Sequence, residues 1–77
     1  MAVIRSISRG SSVVSRHRTS VDATYQVVTD NSGTLFHLST YGSDGRASQP
    51  KVSQTIQLDR NAASDLLTAL REAFPGL

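Results

Sequence analysis

One point in this chain decides most of what it can fold into: the junction at Leu58–Asp59. Up to Leu58 the residues alternate. Val52, Gln54, Ile56 and Leu58 fall on one side and Ser53, Thr55 and Gln57 on the other, the period of two expected of a strand with one buried and one wet face. From Arg60 the period becomes helical. Ala63, Leu66, Leu67, Leu70 and Phe74 recur at helical spacing as one apolar stripe, with Arg60, Ser64, Asp65, Thr68, Arg71 and Glu72 largely away from it. Between the two stands only Asp59, whose carboxylate suits a helix N-cap. Pro75-Gly76 ends the helix, which is expected over residues 60–74. A strand that runs into a helix without a loop forces that helix back onto its own sheet.

The strands before this junction can be read backwards. Lys51 to Leu58 is the last, preceded by the long polar loop GSDGRASQP, whose two glycines and proline argue against regular structure. Thr34 to Tyr41 comes before the loop, with Phe36, Leu38 and Thr40 on one face and Leu35, His37, Ser39 and Tyr41 on the other. Phe36 and Leu38 are the expected core set. Asp30-Asn31-Ser32-Gly33 is a turn, because Asx side chains bond their own backbone and glycine supplies positive φ. It closes a hairpin with Ala23 to Thr29. Val13 to Arg18 is the expected first strand, which would project Arg16 and Arg18 from one side of the sheet. Residues 1–12 are expected as a flexible basic arm ahead of a single domain over 13–77. The fold class expected is α+β: a four-stranded antiparallel meander followed by one C-terminal helix, ββββα.

Size makes this architecture incomplete. At 77 residues the chain allows one domain with a marginal core. Small domains compensate with disulfides, metals or oligomerisation. There is no cysteine, and two histidines alone make a poor zinc site. A homodimer is the expected remedy, since one helix cannot cover a whole sheet. No apolar run approaches a membrane span, and no charged stretch followed by an apolar one opens the chain, so a cytoplasmic location is expected.

Charge points to the partner. Residues 1–20 hold Arg5, Arg9, Arg16 and Arg18 with no acid, a charge of +4, whereas residues 21–77 hold four basic and six acidic residues, a charge of −2. A basic end on a near-neutral body suits a polyanion. Catalysis finds no comparable support. There is no phosphate-binding glycine–lysine motif, Gly42-Ser43-Asp44-Gly45 lacks the further acids of a calcium loop, and His37 and Ser39 have no required third partner. No enzyme activity, cofactor or metal is expected. The expected site binds single-stranded DNA or RNA. Arg16, His17, Arg18, Arg46 and Lys51 supply cations for phosphates, Tyr25 and Tyr41 stack on bases, and Ser53, Gln54 and Thr55 offer hydrogen bonds. The alternative is a small protein-interaction module docking through a sheet edge, without a nucleic-acid role.

LFHLSTYG, a loop ending in Pro50-Lys51, then SQTIQLD and a helix together resemble the positive cofactor 4 transcriptional coactivator family. Ile56-Gln57-Leu58 matches that family's I-x-L strand, Tyr41 its aromatic strand end and Lys51 its loop cation, over about residues 23–74. The resemblance implies four antiparallel strands, a helix, a homodimer and single-stranded DNA binding. The loop is less basic and less glycine-rich than is usual in that family, and the helix lacks a tryptophan near its start. The string from Thr40 to Leu67 also resembles small bacterial proteins.

Overall fold

The computed structural model describes residues 1–42 and 51–77. Four strands and a helix follow in the order β1 (Val3–Ile4), β2 (Ala23–Asp30), β3 (Gly33–Tyr41), β4 (Val52–Leu58) and α1 (Arg60–Ala73). The strands form one sheet in the order β1-β4-β3-β2. Three agree with the sequence reading to within a residue at each end. The first does not.

Val13–Arg18 forms no strand, and all of residues 10–22 are exposed. The first strand lies instead within the segment expected as a loose arm, and it pairs parallel to β4, Val3 beside Gln57 and Ile4 beside Leu58. The sheet is therefore mixed, not an antiparallel meander. The reason is local. VVSRHR carries its valines as neighbours, followed by serine and cations, so it offers no apolar face to bury. Ala2–Ile4 instead reaches the free edge of β4, where the Gln57 and Asp59 amides donate to the Ala2 and Ile4 carbonyls at 3.1 and 3.2 Å. The chain then runs beside α1. Asn61 Nδ2 donates to the Arg5 carbonyl at 2.9 Å, and the Ile7 amide donates to Asp65 Oδ2 at 3.0 Å.

The two antiparallel ladders fix which side chains share a face. β2 and β3 pair continuously from Ala23–Thr40 to Asp30–Gly33. Asp30 caps its own turn by accepting from the Ser32 amide at 2.8 Å. Gly33 takes φ +122°, which a side chain would resist. β3 and β4 pair from Phe36–Leu58 to Thr40–Gln54. The register then shifts by one, so that Tyr41 opposes Val52 and Ser53 is a bulge. One face thus carries Tyr25, Val27, Phe36, Leu38, Ile56 and Leu58. The opposite face carries Gln26, His37, Ser39, Tyr41, Thr55 and Gln57.

Helix α1 begins as the sequence requires. Asp59 is extended, with φ −81° and ψ 178°, and its Oδ1 accepts from the Ala62 amide at 2.9 Å. The helix ends where the Phe74 amide bonds the Leu70 carbonyl at 2.8 Å and Gly76 takes φ +92°. It packs against β3 and β4 on the apolar face, where Phe36, Leu58, Arg60 and Ala63 line one cleft. Leu58, 3% exposed, and the fully buried Ala62 are the buried apolar residues among those described. The expected stripe is rotated slightly: Ala62 is buried in place of Ala63, and Leu67 and Phe74 remain exposed. Phe36 and Ile56, expected as core, are also exposed. The helix reaches only half of the apolar face.

Leu58→Ala should cost about 2–4 kcal/mol, because a buried leucine loses both its transfer energy and its packing. Asp59→Ala should cost about 1 kcal/mol through the lost cap. Ile56→Ala, on the same strand but exposed, should cost clearly less than Leu58→Ala. Urea unfolding of the three variants checks this order.

Candidate nucleic-acid interface

The expected site residues do not share one surface. Tyr25 and Gln54 lie on the apolar face, and Tyr41 and Thr55 on the polar one. Ser53 is the bulged residue between them. Arg16, His17 and Arg18 sit in exposed coil, so the strand expected to align the two arginines is not there to do so. Lys51 is exposed at the mouth of the long loop, where its carbonyl accepts from the Gly42 amide at 3.1 Å. Arg46 lies outside the described residues.

Two groupings emerge instead. The first is an aromatic pair. Tyr25 and Phe36 stack with ring centroids 5.2 Å apart and planes 16° from parallel. They come from adjacent strands, two residues out of direct opposition, which is the diagonal contact that long side chains reach across a ladder. Tyr25 is 66% exposed and Phe36 38%. Val27, opposite Phe36 and also exposed, widens this platform towards the free edge of β2.

The second grouping is a hydrogen-bonded row on the polar face. Gln57 Nε2 lies 3.0 Å from His37 Nδ1, and His37 Nε2 lies 3.0 Å from Ser39 Oγ. An amide nitrogen can only donate, so Nδ1 must accept and the ring proton sits on Nε2, donating to Ser39. Ser39, on the central strand, is the buried polar residue, and this bond satisfies it. On the same face the Tyr41 hydroxyl bonds Thr24 Oγ1 at 3.0 Å. Tyr41, the last residue of β3, is thereby tied to the neighbouring strand β2.

No protein-family model matches this chain, and neither a curated protein nor a solved structure does.

The chemistry must therefore be read from the groups themselves. Among the described residues no three histidine, aspartate or glutamate side chains gather as metal ligands, and no helix is long and apolar enough to cross a membrane. In the polar row both ring nitrogens of His37 are bonded within the sheet, which suits a structural role. The aromatic platform has one face of its rings open. From the sequence Phe36 is a possible stacking aromatic beside Tyr25 and Tyr41, but the core role is favoured because it fits the alternation of a core residue. Only the register, which sets Phe36 beside Val27 and diagonal to Tyr25, joins it to the ring of Tyr25 at the border of the half covered by the helix.

The tautomer of His37 is a direct test of the polar row. Imidazole nitrogen NMR of the neutral ring should show the Nε2–H form predominating, and Gln57→Ala should weaken that preference. A predominant Nδ1–H form would mean that the Gln57 amide is turned over.

Proposed function

We propose that this chain is a single-stranded nucleic-acid-binding protein, working as a homodimeric accessory factor in transcription, replication or repair in the bacterial cytoplasm. The observation that carries the reading is the exposed Tyr25–Phe36 stack on an open sheet face. Unpaired bases have faces to stack on such rings, and each stacked base is worth about 1–3 kcal/mol whatever its identity. Duplex bases have none to offer, because they are already stacked on one another.

The phosphates have partners as well. Arg5, Arg9, Arg16, Arg18 and Lys51 are all exposed. Their attraction for a polyanion is long-range and needs no fixed geometry, so arginines in an exposed coil can serve where arginines on a strand were expected. Gln54 and Thr40, paired across the ladder on the aromatic face, supply polar groups for base edges or sugar. The resemblance to the positive cofactor 4 family points the same way. Catalysis has no role in this reading.

A second reading is favoured by a different observation: β2 is eight residues long, exposed throughout, and, among the described residues, unpaired along one side. Such an edge suits a protein-interaction module that takes up a partner strand.

Fluorescence anisotropy with single- and double-stranded oligonucleotides over a salt series separates the two. The first reading expects binding at low salt with a preference for single strands. Tyr25→Ala should weaken binding roughly tenfold or more at every salt concentration, leaving the slope unchanged. Arg16→Ala with Arg18→Ala should instead lower the slope of log affinity against log salt by about 1.4–1.8, the loss of two phosphate contacts. No binding at low salt, or a preference for duplex, would leave the second reading.

A further inference from the structure

The two edges of the sheet are treated differently. On the β4 side the N-terminal segment closes the edge, with Ala2 and Ile4 carbonyls accepting from Gln57 and Asp59. On the β2 side no strand is paired among the described residues. Which β2 groups are free follows from parity. The Tyr41 amide donates to the Asp22 carbonyl at 3.4 Å, so Asp22 and Tyr41 form a hydrogen-bonded pair. Such pairs alternate along an antiparallel ladder. With the register observed, Thr24, Gln26, Val28 and Asp30 turn their backbone groups towards β3. Ala23, Tyr25, Val27 and Thr29 turn theirs outward.

This outward set is symmetric about Gln26. It carries none of the usual devices that keep an edge unpaired: β2 has no lysine, arginine, proline, glycine or bulge over its eight residues. Its single acid, Asp30, is occupied in the turn.

We propose that two copies of this chain join through β2, antiparallel and in register about Gln26, into one continuous eight-stranded sheet. Tyr25 then pairs with the partner's Val27, and Ala23 with the partner's Thr29. Four hydrogen-bonded pairs result, about eight bonds in all. This pairing rests on the homodimer of the proposed function, and it places the nucleic-acid platform at the centre of that dimer. A two-fold axis normal to the sheet keeps both apolar faces on the same side. The two helices, each against β3 and β4, then flank an open strip floored by both Tyr25–Phe36 stacks.

A second copy fits this edge because the edge is complementary to itself and the chain alone leaves much of its surface open. It exposes 7088 Å², whereas a compact chain of its 8.3 kDa would expose about 4,600 Å². The exposed run 10–22 accounts for part of the difference. The chain's radius of gyration, 14.7 Å, likewise exceeds the roughly 11–12 Å of a compact chain of this length.

The test uses the full chain, free of nucleic acid, in sedimentation equilibrium and amide hydrogen exchange. The expected mass is twice 8.3 kDa. The Tyr25, Val27 and Thr29 amides should exchange slowly, as slowly as those of Gln26 and Val28. Val27→Lys places a cation on an exposed edge position, twice per dimer. It should raise the dimer dissociation constant at least about tenfold while leaving the circular dichroism of the fold intact. A wild-type monomer at high micromolar concentration would overturn the proposal and leave the edge to some other partner. A dimer whose Tyr25, Val27 and Thr29 amides exchange freely would overturn it too, since association would then use another surface. If Val27→Lys fails to fold, the wild-type exchange pattern still decides. A β2-linked dimer that binds no oligonucleotide would defeat the nucleic-acid reading alone.

Discussion

The contact of Leu58 with the start of α1 governs this fold. With only Asp59 between strand and helix, the helix has no freedom to choose its position on the sheet. It must turn back beside the last residue of β4. Asp59 makes the turn possible by bonding the Ala62 amide, and that same turn brings the buried Ala62 against the sheet that holds Leu58. Every later feature follows from where this leaves the helix. It lies over β3 and β4, and Tyr25 and Val27 of β2 stay exposed.

A helix fixed at one end of a four-stranded sheet leaves a defined residue of unburied surface. Here it is the strip of Tyr25, Val27 and Phe36. A chain with a longer connection could move its helix to the centre and bury these side chains as an ordinary core. This one cannot, so the rings stack on one another and stay open. The N-terminal segment makes the asymmetry sharper. It adds β1 to the side already covered by α1 and bonds along the helix through Arg5 and Ile7. One half of the sheet is thus doubly protected while the other has neither a covered face nor a paired edge.

How much of this was legible in the sequence depends on the range of the interaction that decides it. The helix, its cap and the two central hairpins were legible, because alternation, turn residues and the Asp59 signal are all local. The first strand was not. Val13–Arg18 has two valines, but it has no face to bury. Val3–Ile4 is too short to signal itself and becomes a strand only because the β4 edge is free at that point. The parallel pairing, and with it the mixed sheet, follows from a contact between residues more than fifty positions apart. The candidate site divides in the same way. Tyr25 and Lys51 could be singled out by type and position, but the stack of Tyr25 on Phe36 is a product of register. The expected strand of arginines failed with the strand itself, although a cationic coil does not need strand geometry to attract phosphates.

The polar face shows why a cluster of functional residue types need not be a functional site. A histidine between a serine and a glutamine on adjacent strands has the elements of a relay. Yet the direction of the bonds argues against one. Gln57 donates into Nδ1, which leaves the proton on Nε2 pointing at Ser39, so His37 in this form cannot accept the serine's proton. Removing that obstacle by turning the amide over would still leave Ser39 buried on a central strand. The row is better understood as the means by which a sheet with one wet face satisfies its one buried hydroxyl. What distinguishes the opposite face is the reverse condition. Its aromatic rings have an unsatisfied side, and the strand that carries Tyr25 has an unsatisfied edge. The two deficits meet at Tyr25, and one association through β2 would answer the edge while leaving the rings free for a ligand.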